Sequence, residues 1–416
     1  MTPLDPAALR LRFPALARTG EDGRPVVFAD APGGSQVPQT VIDAIAGHLE
    51  SGISNTHGAF AASEETDALI ADVRRAAADV TGADPGEIVF GPNSTTLLLH
   101  LSRSFGRMLR PGDEVVVTKL DHDANVRPWV LAAEDAGATV RWVDIRDDDV
   151  TLDLDSFDAA LTDRTRLVAF TLASNAVGTI PPAADLIGRV HALGAIAAVD
   201  GVHFAQHRAL DLRALDADIL ACSPYKFFGP HLGVLSVRRE LLETWTPYKL
   251  RPAPDEAPER WETGTQNHEG LAGMVAAVDY LADIGRTYGD PASGDRRTAI
   301  VAGFEAIGAH ERELTARFLR GVADIASVRL WGIADENRPD ERTPTFAVRV
   351  GEQDPLKTAT ELARRGIYVW DGHYYAITVM ERLGLLDSGG AVRIGFCHYH
   401  STDDVDRVLE ALTDLA

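Results

Sequence analysis

Free thiols, lysine and long apolar runs are all scarce in this sequence. Only Cys222 and Cys397 are present, with no Cys-x-x-Cys pair, so neither a disulfide scaffold nor a cysteine zinc site is supported and each thiol reads as a buried structural residue. Lysine occurs only at Lys119, Lys226, Lys249 and Lys357, and arginine carries nearly all the positive charge. No stretch approaches the roughly 18 apolar residues of a membrane span, and residues 1–16 show no basic leader followed by an apolar run; a cytoplasmic protein with no membrane partner is expected. Positive charge is itself in deficit. The formal net charge of -22 is dispersed along the chain and repels nucleic acid phosphates and anionic lipid.

Also missing is any Pro/Gly/Ser-rich linker or low-complexity tract in a chain of 416 residues, too long for one ordinary core. One large and one small domain in close contact are expected: residues 1–30 as a segment packing on the domains, 31–285 as the large domain and 286–416 as the small one. Short apolar runs at 87–90, 114–118, 139–143, 166–171, 195–200, 219–223 and 233–237 alternate with stretches of helical spacing at 94–105, 129–136 and 184–193. This alternation predicts an α/β fold with a large, mainly parallel seven-stranded sheet. Beyond residue 285 the pattern becomes helix 299–319, strand 345–350, helix 355–365, strands 367–370 and 391–397, and helix 402–415, a smaller α+β domain.

Two strand ends carry an acid and a lysine: Asp200-Gly-Val-His203 and Ser223-Pro-Tyr-Lys226. Ligands of open α/β sheets gather at the carboxyl ends of strands, so both side chains are expected in one crevice. Pyridoxal 5'-phosphate needs an amine for a Schiff base, a carboxylate against its pyridine nitrogen and a cradle for its phosphate. Lys226 and Asp200 meet the first two needs, with Lys226 as the catalytic base once released. Gly91-Pro-Asn-Ser-Thr-Thr96, a turn between strand and helix, offers Ser94 and Thr95 to the phosphate, and Ser223 adds a hydroxyl. Singly, these features have plainer readings: a surface lysine, a strand-capping carboxylate, a helix N-cap.

Taken together, ordered motifs from Asn55 to Leu415 resemble the cysteine desulfurase-like members of the class V aminotransferase family, pyridoxal phosphate enzymes of fold type I. They are Ser54-Asn-Thr-His57, Asp121-His-Asp-Ala-Asn-Val-Arg-Pro-Trp129, Ser174-Asn-Ala-Val-Gly-Thr179, Asp200-Gly-Val-His203, Ser223-Pro-Tyr-Lys226, Trp261-Glu-Thr-Gly-Thr265 and Arg393 with its following helix. The resemblance implies that Asn175 bonds the cofactor's ring hydroxyl with His203 nearby, that Tyr225 joins Ser223 at the phosphate, and that Thr265 reaches the phosphate of a partner subunit in a homodimer with shared active sites. Arg393 would pair with the α-carboxylate of a small amino-acid substrate, which His57, Tyr374 and Tyr375 would face.

The sequence departs from that family at two places. Asp123 stands where the second histidine of a His-His-Ala-Asn pattern is expected against the cofactor ring, and it cannot stack as an imidazole does. Tyr375, in Val369-Trp-Asp-Gly-His-Tyr-Tyr-Ala376, stands where desulfurases carry the cysteine that receives sulfur; a phenol with a pKa near about 10 forms no persulfide. The expected activity is therefore carbon–sulfur cleavage without a loop cysteine, either cysteine desulfurase-like or lyase chemistry by β-elimination, with an aminotransferase or epimerase as the alternative on the same scaffold. A metal hydrolase built on Asp121-His122-Asp123 or His398-Tyr-His400 lacks a completing ligand, and a silent scaffold does not account for Lys226, Asp200 and Arg393 together.

Overall fold

The computed structural model describes residues 2–290, 292 and 294–416. Seven strands form the larger sheet: β1 (Ile88–Gly91), β2 (Glu114–Thr118), β3 (Thr139–Val143), β4 (Thr165–Thr171), β5 (Ile196–Asp200), β6 (Ile219–Cys222) and β7 (Gly233–Val237). Their order is β1-β7-β6-β5-β4-β2-β3. The run β2 to β6 is parallel, whereas β7 runs antiparallel to both of its neighbours. Runs such as Val115-Val116-Val117 and Leu167-Val168-Ala169-Phe170 are fully buried. Helices cover both faces of the sheet, so its inner strands read as continuous apolar stretches rather than alternating ones.

Because β7 reverses direction twice within the order, β1 ends on the same edge as β6. Asp200 ends β5, Asp121, Asn175 and Lys226 follow β2, β4 and β6, and the helix Ser94–Gly106 follows β1; all start from the carboxyl edge of one sheet. The turn before that helix presses on the start of β7, where a Cβ at Gly233 would lie 2.2 Å from the Asn93 carbonyl carbon. Only glycine allows that approach.

Four antiparallel strands form the smaller sheet, in the order β10-β11-β9-β8: β8 (Val328–Trp331), β9 (Thr345–Val350), β10 (Trp370–Gly372) and β11 (Ala391–Gly395). Two strands differ from the sequence reading, each for its own reason. The strand expected at 367–370 begins at Trp370, because Ile367 bridges Val27 and the Tyr368 N–H donates to the Val27 carbonyl at 2.9 Å. Strand β8 went unnoticed because only Trp331 of its four residues is buried. The long helices Ala61–Thr81 and His268–Tyr288 lie outside the helical stretches expected from the sequence. No helix among the described residues is long and apolar enough to cross a membrane.

Arg342 ties the two sheets together. Fully buried, it donates to the carbonyls of Ile333, Thr345 (2.6 Å) and Val177 (3.4 Å), and the Thr343 N–H donates to Gly178 at 2.9 Å. The loop after β4, which carries Asn175, is thereby held against β9. Burial lowers the Arg342 guanidinium to about 9, still charged at neutral pH. Arg342→Met would leave these carbonyls without donors in an apolar setting, at about 1–3 kcal/mol each. The variant is expected to lose about 3 kcal/mol or more of unfolding free energy, measured as a lower denaturant midpoint.

Candidate active site

Lys226 closes the 3₁₀ turn Pro224–Lys226 that follows β6. Its side chain is 7% exposed, its Nζ donates to the carbonyl of Pro32, and it sits 5.0 Å from the centre of the Tyr225 ring. That ring stacks in turn on His231, with centroids 5.0 Å apart. Burial and the nearby Arg393 bring the ammonium down to about 7, against the pull of Asp200 and Asp30. A large share of Lys226 is therefore free amine at neutral pH, the form that attacks a carbonyl.

Asp200 faces Lys226 from the end of β5. One carboxylate oxygen accepts the Val202 N–H at 2.8 Å, and burial raises the group to about 6. Three residues on, His203 binds the hydroxyls of Thr343 and Thr345 through Nε2 at 3.1 and 3.0 Å. Burial keeps this imidazole neutral. Asn175 donates from Nδ2 to the Tyr374 carbonyl at 2.9 Å.

Several polar atoms of this crevice are buried with no partner: Asn175 Oδ1, His203 Nδ1, Ser223 Oγ, Asp30 Oδ1 and Arg393 Nε. Each such atom costs about 1–3 kcal/mol. Their concentration around one lysine marks a place where a polar ligand completes the set. Pyridoxal phosphate matches it: an amine acceptor for Lys226, a ring nitrogen for Asp200, a ring hydroxyl for Asn175 and His203, and a phosphate for Ser223. Ser94 and Thr95 stand at the first turn of their helix, where Asn93 caps the Thr96 N–H at 2.8 Å and the helix dipole favours an anion.

Arg393 lies on β11 with its guanidinium 4.5 Å from the Tyr374 ring centre. Nη1 donates to the Asn175 carbonyl at 3.0 Å, and among the described residues no carboxylate pairs with it. Its charge is left available to an incoming anion. Tyr374 supports this arginine as a platform, its hydroxyl bonded to the Ala391 carbonyl. Tyr375 is 66% exposed and stacks on His122, centroids 5.5 Å apart and planes 21° from parallel. Tyr374 and Tyr375 have left-handed φ of 52° and 59°, a conformation that bulky residues adopt only when surroundings impose it. The Asp123 N–H, donating to the Tyr375 carbonyl at 2.8 Å, is one such restraint.

The fold thus gathers Lys226, Asp200, Asn175, His203, Ser223, Tyr225, Arg393 and Tyr374, with Ser94 and Thr95 on the same edge. Asp123 does not join them: its carboxyl feels Arg127, while the charges of Lys226 and Arg393 act on His122. A 3₁₀ turn, Asp123–Asn125, swings Asp123 away and leaves the histidine before it at the crevice. His122 Nδ1 accepts the Ala124 N–H at 3.0 Å, so the ring proton sits on Nε2. Burial, with Lys226 and Arg393 adding, depresses His122 to about 3.

His57 and Thr265 are also elsewhere, together lining a separate cleft of about 1250 Å³. His57 is 84% exposed in its side chain, with Asp67 3.5 Å away. Asp30 is not among the acids to which the sequence points, and Asp121 enters there only as a ligand of the metal reading. Asp121, fully buried beside Thr118 and Asn125, is raised by burial to about 8; an acid three residues past the end of a valine-rich strand is the available signal. His398 and His400 are engaged elsewhere, by the Tyr280 hydroxyl at 2.6 Å and the Phe28 carbonyl at 3.2 Å.

Comparison with known proteins agrees with this geometry. The family model described as aminotransferase class-V matches residues 27–290 and 298–408. A cysteine desulfurase of Dickeya dadantii is 30% identical over 97% of this chain and 95% of its own. A probable cysteine desulfurase of Streptomyces coelicolor is 30% identical over 98% and 96%. The apo structure of a cysteine desulfurase from Thermococcus onnurineus superposes with a TM-score of 0.88 at 27% identity, covering 100% of this chain and 99% of the other.

The lowered Lys226 ammonium fixes a pH dependence for the capture of an aldehyde. Mixed with pyridoxal phosphate, the cofactor-free protein should form its visible absorption band faster as pH rises from about 6 to 8, with a plateau above. A rate still climbing tenfold per unit at pH 9 would mean that Lys226 is not desolvated as described.

Proposed function

Because this chain belongs to the class V aminotransferase family of pyridoxal phosphate enzymes, we propose that it cleaves the carbon–sulfur bond of a cysteine-type amino acid by β-elimination, using no thiol of its own. The observation that carries the reading is Tyr375 at the loop position, together with two cysteines that are both fully buried. Burial pushes the Cys222 and Cys397 thiols far up, so neither supplies a thiolate. The relatives are named for sulfur removal from cysteine, which favours this chemistry over transamination or epimerisation.

In this reading each side chain has one task. Arg393 grips the α-carboxylate with its planar fork and fixes which bond at Cα stands ready to break. Lys226 removes the Cα proton as its amine. Bound pyridoxal phosphate supplies the electron sink for the pair left at Cα. Asp200 holds the proton on the ring nitrogen, Asn175 and His203 hold the ring hydroxyl, and Ser94, Thr95, Ser223 and Tyr225 hold the phosphate. The Cβ–S bond then breaks with its electron pair leaving on sulfur, toward which neutral His122 offers its Nε2 hydrogen. Tyr375 fixes that imidazole by stacking. Water completes the balance: L-cysteine and water give pyruvate, ammonia and hydrogen sulfide.

A homodimer forms part of the same proposal. Thr265 and His57 lie apart from the crevice of their own chain, on a surface where Ile53, Phe60 and Leu250 are 62%, 57% and 75% exposed. Such an apolar surface suits burial against a second copy, where Thr265 would reach the partner's phosphate and His57 its substrate.

Cofactor-loaded protein incubated with L-cysteine, and separately with L-cystine, is expected to yield pyruvate as its three-carbon product by mass spectrometry. Tyr375→Phe should retain this product, and Lys226→Ala should lose both product and visible absorbance. Alanine in place of pyruvate would show sulfur transfer to an outside acceptor, and the elimination reading would fall.

A further inference from the structure

The segment Asp30 to Gly34 crosses the crevice as a strap. Asp30 bridges Gly395 at the end of β11, and the Gly395 N–H donates to the Ala29 carbonyl at 2.8 Å. The Pro32 carbonyl receives the Lys226 ammonium. Ser35 donates its N–H and its hydroxyl to the Tyr225 carbonyl at 3.0 and 3.1 Å. The strap passes so close to Arg393 that a Cβ at Gly33 would sit 2.3 Å from Trp370 Nε1 and 3.4 Å from Arg393 Nη2. Arg393 precedes Gly395 by two residues, so its side chain leaves the strand face that Gly395 shares.

Asp30 is therefore a carboxylate within electrostatic reach of both cations, Arg393 and Lys226. It nevertheless closes an ion pair with neither. Asp30 Oδ1 and Arg393 Nε are each buried without a partner. The other titratable groups that feel Asp30 are Cys397 and Tyr399. Both are held neutral by burial, while Asp200, at the end of β5, acts on Lys226 alongside Asp30.

We propose that Asp30 is a positioning residue that acts through the field of Arg393: charged, it opposes a carboxylate arriving at Arg393, and it takes up a proton as that carboxylate docks. The proposal rests on reading Arg393 as the partner of the substrate carboxylate. Burial already lifts Asp30 to about 6, with Arg393 and Lys226 pulling the other way. An anion on Arg393 cancels part of that pull and adds like-charge repulsion, so the pKa is higher in the bound state than in the free state. Binding is then strongest below the free-state value and weakens as pH rises through the interval between the two, by about tenfold per unit for one proton.

Holoenzyme titrated calorimetrically with propionate, a carboxylate with no amine to react, tests this. In two buffers of different ionisation enthalpy at pH 7, propionate binding should be accompanied by net proton uptake. The association constant should fall as pH rises above about 6, by at most about tenfold per unit. Asp30→Asn should bind propionate without uptake and with no pH slope over that range. Binding by the wild type without uptake would overturn the proposal, as would an Asp30→Asn protein that keeps both uptake and slope. If Asp30→Asn does not fold, the wild-type proton count decides alone. Arg393→Gln protein binding propionate as tightly as wild type, or a wild type binding none, would sink the reading of Arg393 and the proposal with it.

Discussion

The burial of charge at one sheet edge is the constraint around which this molecule is arranged. Lys226, Arg393, Asp200 and Asp30 share a crevice in which desolvation is the largest influence on every one of them. In water each would be a strongly hydrated ion; here the cations slide toward neutrality and the acids toward protonation. Closing these groups into ion pairs would relieve the desolvation cost and leave nothing to recognise a ligand with. The fold instead supports them from behind with carbonyls and rings: Pro32 behind Lys226, Asn175 and Tyr374 behind Arg393.

That support comes from segments far apart in the chain. Lys226 and Pro32 are 194 residues apart, and Asn175 and Arg393 are 218 apart. The smaller sheet delivers Arg393, Thr343 and Thr345 to residues of the larger one, and the Arg342 clamp keeps the two in register. A site built between sheets depends on their relative placement as much as on its own residues, so a change at Arg342 would be felt at Asn175 without touching it.

The separation also explains what could be read in advance. Lys226, Asp200 and Ser223 were legible because each lies at the end of an apolar run, and strand ends in open sheets point to one edge. Most strands of the larger sheet were equally plain from their β-branched runs. Arg393, Asn175 and the two tyrosines entered through family likeness rather than any local signal. Asp30 carried none, since its place is set by a bridge to Gly395 across the chain. Which of His122 and Asp123 faces the crevice is not legible in the sequence, because a single turn of 3₁₀ helix, which side-chain chemistry does not announce, decides it. The strand expected at 367–370 shifted for a like reason: the N-terminal residues claim Ile367.

The inaccessibility of Cys222 and Cys397 bears on how such a protein withstands its own surroundings. A catalyst that handles thiols and disulfides is bathed in species that exchange with any exposed sulfur, and an accessible cysteine would be trapped as a mixed disulfide or driven up the oxidation ladder. With both sulfurs fully buried and their thiols held protonated, the folded chain offers these species no partner. Both thiols are thereby kept out of that exchange.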